Sequence, residues 1–542
     1  MASGKTTSRG MPPVLVLILA AVVPLASLIP AWQARSVTPP GDQFMGFRYM
    51  AGDHFQYAAF MQQAADDGSL MMRNPFTSEP QRGVFVLLYF WMVGLASRLL
   101  GLTIPAAWDL FGVMGGALYI LIFWWLTDAF FTRRKARIAA TGLFCLAGGL
   151  DWIVTLLRMT ITPALKALEH PFDFFWNWST FGTMAVPHWL WPALVLALVV
   201  RLLLMSEAPA WRAPLVGLLM PLVWFMHAYS GMVAYLALGL APVVPVCAAW
   251  LRIEKPDWAR ARTNARLVAP GLLSFAVVAA YLLWARGDEV FRVSSARGFS
   301  WTDTFSVWWY PISYGLLLPL AWFGLRSMAR QQDRAFDLTI AWAVAAFFLS
   351  VNPLFAGVKF QYLLFPPLAL LAARGFGELA ESSAWFARNL AAGPGLVAMG
   401  AALCLNAPVS LVKEMPKAAT TREIYMPRGE VQAMQWLRGQ PDGLVLCSYW
   451  SGNRLAWLSG KTVFVGHWFM TAGLNQKNRM VAMLFSEHVT LAEKQTLIRQ
   501  TGARYIYAGR AEATLGSLDP QLPLRRVYDQ DQVVIYEVGS GA

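Results

Sequence analysis

PPVLVLILAAVVPLASLIPAW (residues 12–32) is a continuous apolar run that follows a short segment containing Lys5 and Arg9. A helix needs about 20 apolar residues to cross a hydrocarbon core about 30 Å thick, so this run is long enough to span a membrane. It is longer than the apolar region of a typical signal peptide, and no A-x-A cleavage pattern follows it. We therefore interpret the run as a retained signal anchor.

The composition extends this interpretation to most of the chain. Of the 542 residues, 57% are hydrophobic and only 14% are charged, whereas soluble domains carry about 25% charged residues. The net charge of +13 does not indicate a nucleic-acid partner, because the basic residues cluster in short loops between apolar segments, as the positive-inside rule expects. The sequence thus predicts an all-α polytopic membrane domain over residues 1–412, surrounded by membrane lipids.

Loop charges predict the topology. Short basic loops are expected in the cytoplasm, and they contain Arg133, Arg134, Lys135, Arg137, Arg252, Lys255, Arg260, Arg262, Arg266, Arg326, Arg330, Arg334, Arg374 and Arg388. With a cytoplasmic N-terminus, the long loops 33–83 and 159–185 and everything after Val412 lie outside. Segment 84–100 breaks the alternation, so we expect it to enter the membrane only partly. The prediction is about eleven transmembrane helices plus this partial segment.

Residues 413–542 are richer in charge and have shorter apolar runs. Their patterns predict an amphipathic helix over 430–439, a helix over 491–502 and strands over 443–449, 461–466 and 503–509. A hairpin is expected to turn at Asp529–Asp531. This region is predicted to be a small α/β soluble domain on the non-cytoplasmic, periplasmic side.

The first outer loop contains MAGDHFQYAAFMQQAADDG, residues 50–68. Asp53 followed by Gln56 fits a capping box, and Gly68 fits the end of the same helix. An outer-face aspartate beside a membrane is also suited to act as a general base toward a sugar hydroxyl. The two interpretations are compatible, because a capping role would also hold the carboxylate in place.

Other polar residues on the predicted outer side are candidates for substrate binding. Glu79 and Arg82 precede the partial segment, and Arg82 suits a phosphate, although both also fit an ordinary solvated loop. His188 and His227 lie at the ends of apolar segments, and no histidine spacing fits a standard metal motif. Asp173 lies among aromatic residues that suit either membrane anchoring or sugar stacking. Lys359 suits either snorkelling to the interface or neutralising a lipid-linked phosphate.

At the level of architecture, the chain resembles the integral membrane glycosyltransferases of the GT-C superfamily. The similar features are an N-terminal membrane helix, a long outer loop with Asp53 on a juxtamembrane helix, a second outer loop at 159–185 and a terminal α/β domain. Some members have a second acidic residue after the first, where this chain has His54. The oligosaccharyltransferase WWD-type signature is absent from residues 413–542.

The resemblance implies an inverting transfer from a polyprenyl-phosphate sugar donor to a glycan or lipid acceptor. Asp53 would activate the acceptor, Arg82 or Lys359 would hold the departing phosphate, and His54 would lie at the same site. Asp173 would occupy the loop where some members place a metal-binding acid. The sequence leaves the cofactor unknown, with a divalent cation open, and identifies no metal ligands. The composition suggests a bacterial inner membrane.

Three other functions stay open from the sequence. A transporter or flippase of a lipid-linked glycan would show internal symmetry and ionisable residues near the bilayer midplane, and no repeat is visible. A polymerase or ligase acting on lipid-linked glycans would be expected to carry its large outer loop late in the membrane domain. A non-catalytic assembly partner is suggested by His54 in place of an acid.

Overall fold

The computed structural model describes residues 11–48, 51–160, 179–205, 209–251, 255–300, 307–354, 356–409, 411–412 and 422–539. The described chain is mostly helical and divides into two compact units. One unit comprises residues 1–28, 111–276 and 302–413, and the other comprises 29–110, 277–301 and 414–542. We call them the membrane-helix unit and the mixed unit. Residues 414–542 thus share a unit with two other parts of the chain.

Helices make up the membrane-helix unit. Its described α-helices are Val14–Ala26, Arg134–Leu146, Asp151–Thr160, Thr180–Met184, Pro187–Leu203, Arg212–Met226, Ala228–Leu240, Val244–Leu251, Trp258–Leu273, Tyr310–Tyr314, Leu317–Gln331, Arg334–Ser350, Phe365–Ser382, Ala384–Asn389 and Gly393–Cys404. Short 3₁₀ turns are formed by Val307–Trp309, Gly357–Lys359 and Gln361–Leu363. Helices Ile104–Thr127 and Phe275–Ala285 each contain a boundary between the units.

Two glycines set a close contact between two helices of the membrane-helix unit. A Cβ atom on Gly324 would lie 1.9 Å from the carbonyl oxygen of Leu371, and one on Gly375 would lie 1.9 Å from that of Leu320. Small residues let helix backbones approach closely where lipid supplies no hydrophobic driving force between helices. The helices Leu317–Gln331 and Phe365–Ser382 therefore pack backbone against backbone.

Among the residues that the structure describes, four helical segments are long and apolar enough to cross a membrane, or five if the bent pair Gly357–Leu363 and Phe365–Ser382 forms one span. The four are Val14–Ser36, Ile104–Thr127, Arg134–Leu157 and Trp258–Ala285. The predicted number of eleven crossings is not confirmed, because five other apolar segments form helices of 10–17 residues. At 1.5 Å per residue such a helix reaches about 15–26 Å.

Segment 84–100 belongs to the short group. It forms a strand, Phe85–Val86, and the 13-residue helix Leu88–Leu100. Gly101 ends this helix with φ of 64°, a left-handed conformation that glycine adopts without a steric penalty. A helix of this length extends about 20 Å, which is less than the thickness of a hydrocarbon core.

The mixed unit combines helices and strands. Its described α-helices are Ile29–Ser36, Ala51–Asp67, Leu88–Leu100, Glu289–Ser300, Arg428–Arg438, Tyr449–Ser459, Leu474–Phe485, Leu491–Thr501 and Arg510–Ala513. A 3₁₀ turn spans Arg422–Ile424. Its strands are β1 (Asp42–Phe44), β2 (Met71–Met72), β3 (Phe85–Val86), β4 (Tyr425–Pro427), β5 (Val445–Leu446), β6 (Tyr505–Ala508), β7 (Leu524–Gln530) and β8 (Val533–Val538).

The strands form three sheets. Antiparallel pairs join β1 with β4 and β2 with β3. The largest sheet has the order β5-β6-β8-β7, in which β5 and β6 are parallel and the other neighbours are antiparallel. The hairpin expected near Asp529–Asp531 forms between β7 and β8, with its two loop residues at Asp531 and Gln532. Both have positive φ, as two-residue hairpin loops of type I′ require.

Helix Ala51–Asp67 carries the candidate base and packs against helix Leu88–Leu100. The contact is close at Gly94, where a Cβ atom would lie 2.1 Å from the carbonyl oxygen of Met61. The helix ends at Gly68, whose φ is 75° and whose N–H donates to the carbonyl of Ala64 at 3.0 Å. The predicted glycine terminus is therefore confirmed, and the helix is fixed along its length.

Candidate functional site

Asp53 lies in the first turn of helix Ala51–Asp67 and not at its N-cap. The capping-box prediction for Asp53 and Gln56 is therefore wrong, because the helix begins two residues before Asp53. Gln56 is buried within the same helix. Negative charge in the first turn still interacts favourably with the helix dipole, so the position stabilises the ionised carboxylate.

The carboxylate of Asp53 contacts a histidine from the C-terminal region. Oδ1 of Asp53 lies 2.9 Å from Nε2 of His467. The His467 side chain is buried, while the Asp53 side chain keeps 23% of its surface exposed. The carboxylate is thus held on one side by a buried ring and remains accessible to a reactant.

The loop that carries His467 is attached to the first outer loop by several hydrogen bonds. The Thr471 hydroxyl donates to the carbonyl of Phe76 at 2.9 Å, and the Asn74 amide donates to the carbonyl of Met470 at 2.7 Å. The N–H of Ala472 donates to the Thr77 hydroxyl at 3.2 Å. Residues 467–472 are therefore fixed relative to residues 74–77, close to where Asp53 accepts its contact.

Aromatic side chains surround this contact. Trp450 is 57% exposed and Trp468 is 42% exposed. The ring of Phe469 lies 4.4 Å from that of His467, centroid to centroid. Burial raises the pKa of Tyr449, and the negative charge of Asp53 raises it further. The surroundings of Asp53 thus combine one carboxylate with apolar, partly exposed rings.

His54 follows Asp53 but lies in a different environment. Its ring is buried and packs against Phe47 at 5.4 Å, Tyr57 at 5.6 Å and Trp108 at 5.2 Å between centroids. Successive side chains on a helix differ in direction by about 100°, because one turn takes 3.6 residues. His54 thus packs in an aromatic cluster, and its substrate-binding role stays a prediction.

Glu79 and Arg82 are engaged by other parts of the mixed unit. Oε2 of Glu79 lies 2.8 Å from Nζ of Lys477, which is largely buried. The Arg82 guanidinium donates to the carbonyl of Gly287 at 2.8 Å, and its backbone N–H donates to Asp288 at 2.8 Å. Both side chains thus fasten their loop to neighbouring segments.

His188, His227 and Lys359 belong to one cluster within the membrane-helix unit. The two imidazole rings lie 5.7 Å apart, and Nζ of Lys359 lies 4.6 Å from the centre of the Tyr229 ring. The side chain of His227 caps helix Ala228–Leu240. His188 lies at the start of helix Pro187–Leu203. A cation and the starts of two helices are therefore gathered near these rings, and the positive ends of the helix dipoles together with the ammonium favour an anion.

Hydrogen bonds fix the ring of His227 in this cluster. Nδ1 of His227 lies 2.7 Å from the Ser230 hydroxyl and 3.3 Å from the Tyr362 hydroxyl. Ser230 and Tyr362 are hydrogen-bonded to each other as well, and the Trp189 ring stacks on Tyr362 at 5.2 Å. The ring is thus oriented by two hydroxyl groups.

Asp173 lies outside the described residues, as does the segment 161–178 around it. Within the part of the chain that the structure describes, no three His, Cys, Asp or Glu side chains gather as a metal ion would need.

Three site residues were missed from the sequence alone: His467, Lys477 and Tyr362. The sequence pattern around His467 gives no link to Asp53. The two are separated by 414 positions, so no local pattern relates them. The one signal that relates Asp53 to His467 is the predicted topology, which places both residues on the outer side.

No family model and no curated protein matches this sequence. Solved structures do. The oligosaccharyltransferase AglB from Archaeoglobus fulgidus, in complex with an inhibitory peptide and a dolichol-phosphate, superposes with a TM-score of 0.52 at 12% identity. That alignment covers 97% of this chain and 74% of AglB.

Two further structures are similar over nearly the whole of this chain. ArnT from Cupriavidus metallidurans, in the apo state, gives a TM-score of 0.50 at 15% identity, covering 96% of this chain and 97% of ArnT. The arabinofuranosyltransferase AftD from Mycobacteria gives 0.52 at 16% identity, covering 98% of this chain and 40% of AftD.

These similarities define the class of the fold. The resemblance to GT-C membrane glycosyltransferases that the sequence predicts is therefore confirmed at the level of the fold. The chain is a helical membrane protein with a GT-C-like fold.

Proposed function

We propose that this protein is a membrane glycosyltransferase that moves a sugar from a polyprenyl-phosphate donor to an acceptor hydroxyl, with Asp53 as general base. The observation that carries the proposal is the Asp53 carboxylate, held by a buried histidine and still partly exposed, in a chain with the GT-C-like fold. Proton transfer by a positioned carboxylate is a standard contribution to hydroxyl activation.

The proposed chemistry is a single displacement. Asp53 takes the proton of the acceptor hydroxyl as its oxygen attacks the anomeric carbon of the donor sugar. The bond between that carbon and the phosphate oxygen breaks, and the polyprenyl phosphate departs with the electron pair. Because the attack and the departure occur on opposite faces, the anomeric configuration inverts.

The cluster of His188, His227 and Lys359 is proposed to bind the phosphate of the donor. The Lys359 ammonium supplies positive charge beside two helix starts. Helix N-termini and lysine ammonium groups both stabilise phosphate oxygens. The dolichol-phosphate in the AglB complex supports a lipid phosphate as the ligand class. Arg82 has the weaker claim, because its guanidinium is hydrogen-bonded to Gly287.

The acceptor is proposed to be a glycan or a glycan-bearing lipid. Exposed indole rings such as those of Trp450 and Trp468 can pack against the C–H face of a sugar, because that face is apolar. A peptide acceptor, as used by the oligosaccharyltransferase, is not proposed for this chain, because the chain lacks the WWD-type signature.

The membrane placement is part of the same proposal. The N-terminus is proposed to lie in the cytoplasm. Residues 413–542 and the loops 33–83 and 159–185 are proposed to lie on the outer face of a bacterial inner membrane. Short helices joined at breaks would complete the eleven predicted crossings. Accessibility labelling of single cysteines at Gln43 and Arg326 tests the orientation, with labelling from outside expected only at Gln43.

The central test compares purified wild type with Asp53→Asn for turnover of a panel of polyprenyl-phosphate sugars. Asp66→Asn is the matched control, because it is the same change on the same helix. Wild type and Asp66→Asn are expected to consume a donor, while Asp53→Asn loses about 10²-fold or more in kcat. Equal turnover by Asp53→Asn would remove Asp53 from the chemistry.

A wild type that consumes no donor would contradict the transferase proposal. The alternative is then a transporter or flippase of a lipid-linked glycan, and it is measured directly. Proteoliposomes loaded with a fluorescent lipid-linked sugar would show its movement between leaflets, with protein-free liposomes as the reference.

A further inference from the structure

We infer that His467 is a positioning residue, which holds the Asp53 carboxylate in its working orientation by donating a hydrogen bond from Nε2. This inference rests on the proposed role of Asp53. It assigns residues 466–472, in the C-terminal region, a part in the chemistry of the first outer loop. The geometric basis is the 2.9 Å contact between Nε2 and Oδ1.

The His467 ring has little freedom to move. It is fully buried, and the rings of Phe469 and Phe76 lie 4.4 and 6.2 Å from it, centroid to centroid. The first of these two contacts is edge-to-face, with an interplanar angle of 88°. A packed ring of this kind keeps its χ angles, so the direction of its N–H is set before a substrate arrives.

The backbone around His467 is also fixed. Its carbonyl accepts hydrogen bonds from the N–H groups of Met470 and Thr471 at 3.1 and 2.9 Å. The Thr471 hydroxyl accepts from the N–H of Gly466 at 3.0 Å. Arg297 donates to the carbonyl of Thr471. The turn is therefore closed on both sides of the histidine, and the ring is anchored to a rigid frame.

The hydrogen-bonding pattern assigns the tautomer. Nδ1 of His467 is buried and has no hydrogen-bond partner among the residues that the structure describes. A proton on Nδ1 would therefore be a buried donor without an acceptor, which costs about 1–3 kcal/mol. The Asp53 carboxylate can only accept a hydrogen bond, so the contact at 2.9 Å requires a proton on Nε2, which donates to Oδ1.

A neutral donor suits a carboxylate that must act as a base. It fixes the direction of one oxygen of Asp53 without placing a full positive charge beside the carboxylate. Hydrogen-bond partners that orient metal ligands typically contribute about 10–100-fold, and we expect an effect of similar size for a partner that orients a catalytic carboxylate. The effect should fall on kcat, because orientation of the base matters in the transition state more than in substrate binding.

Two substitutions separate this role from simple packing. His467→Phe keeps the ring and removes the donor, while His467→Gln keeps a nitrogen donor the same number of bonds from Cβ as Nε2. We expect His467→Phe to lower kcat about 10–100-fold with KM for donor and acceptor unchanged, and His467→Gln to retain kcat within about 5-fold of wild type. His488→Gln, at an exposed histidine, is the control and should match wild type.

Histidine-selective ¹⁵N NMR provides a measurement that does not depend on turnover. The His467 signal, identified by its loss in His467→Phe, is expected to show the tautomer protonated on Nε2 and to shift in Asp53→Asn. A spectrum with Nε2 unprotonated, or with no change in Asp53→Asn, would overturn the inference.

The outcomes distinguish the inference from the proposed function. If wild type is active, Asp53→Asn is inactive and His467→Phe matches wild type, the function stands and the inference is wrong. If His467→Gln is as impaired as His467→Phe, the ring serves packing alone and the inference is also wrong. If wild type transfers no sugar from any donor, or Asp53→Asn retains full turnover, the proposed role of Asp53 fails and the inference fails with it.

Discussion

Nζ of Lys477 lies 2.8 Å from Oε2 of Glu79, and the two residues are 398 positions apart in the sequence. The ammonium also lies 3.2 Å from the Thr77 hydroxyl and 3.0 Å from that of Ser78. Burial lowers the pKa of Lys477, while the hydrogen bond and charge of Glu79 act in the opposite direction. One buried lysine thus joins helix Leu474–Phe485 to the loop before β3.

Replacement of Lys477 by methionine should destabilise the mixed unit. The change keeps the approximate length of the side chain and removes three polar contacts. Glu79 and the hydroxyls of Thr77 and Ser78 then lose their contact with the ammonium. We expect a loss of about 2 kcal/mol in the free energy of unfolding, as for other hydrogen bonds to charged groups. Melting in detergent measures it, with Arg479→Met at an exposed position on the same helix as control. A Lys477→Met variant as stable as wild type would show that the contact contributes nothing.

Lys359 provides a test of the phosphate cluster. We expect Lys359→Met to raise KM for the polyprenyl-phosphate donor about 10-fold or more, a change of about 1.4 kcal/mol in binding. Lys359→Arg keeps the charge above the Tyr229 ring and should lie much closer to wild type. Steady-state kinetics with the donor varied is the measurement. An unchanged donor KM in Lys359→Met would remove this lysine from the donor site.

Trp450 provides a test of the acceptor surface. Its indole is more than half exposed, and removal of the stacking surface in Trp450→Ala should raise KM for a glycan acceptor about 10-fold. Trp450→Phe should be intermediate, and KM for the donor should not change. The control is Trp385→Ala, at a similarly exposed tryptophan in the membrane-helix unit. Normal acceptor kinetics with weaker membrane association would indicate an interfacial anchor instead.

Glu430 predicts a dependence of stability on pH. Burial raises the pKa of this carboxyl above its ordinary value, the positive charge of Arg454 opposes the rise, and Glu512 adds to it. Between the unfolded pKa near 4.3 and the higher folded pKa, the folded protein binds more protons, so stability falls as pH rises through this window. Above the window, the wild type carries the full cost of the buried charge.

Glu430→Gln lacks this titration. We expect its melting temperature to gain relative to wild type as pH rises from about 4 through the folded pKa of Glu430, and the gain to level off above it. Thermal melts of both proteins across this range measure the difference. A gap that is constant with pH would contradict a raised pKa for Glu430.

The sequence predicted the class of the fold because its signals are local. An apolar run that is long enough to span a membrane can be recognised from its own residues. The run at residues 12–32 forms helix over most of its length. The end of helix Ala51–Asp67 was also predicted, because Gly68 adopts a conformation that few other residues accept. The start of that helix was not predicted correctly, because the helix already includes Ala51 and Gly52, which precede the expected cap at Asp53.

The sequence predicted some residues of the candidate site but not their distant partners, because sequence signals are local. His188, His227 and Lys359 were selected as polar residues at the ends of apolar segments, and the structure gathers them within one unit. His54 is predicted to lie at the site because it follows Asp53 in the sequence. Adjacent side chains on a helix, however, point in directions about 100° apart. Glu79 and Arg82 were placed correctly in a loop, while their partners came from residues far along the chain.

The sequence by itself determined that this chain is a helical membrane protein, because the length of an apolar run is a property of contiguous residues. Only the tertiary structure decided that the carboxylate of Asp53 meets His467 and that Lys477 meets Glu79. Those contacts close loops of several hundred residues, and the free energy that selects them comes from packing and hydrogen bonds formed together, which no single segment of sequence contains.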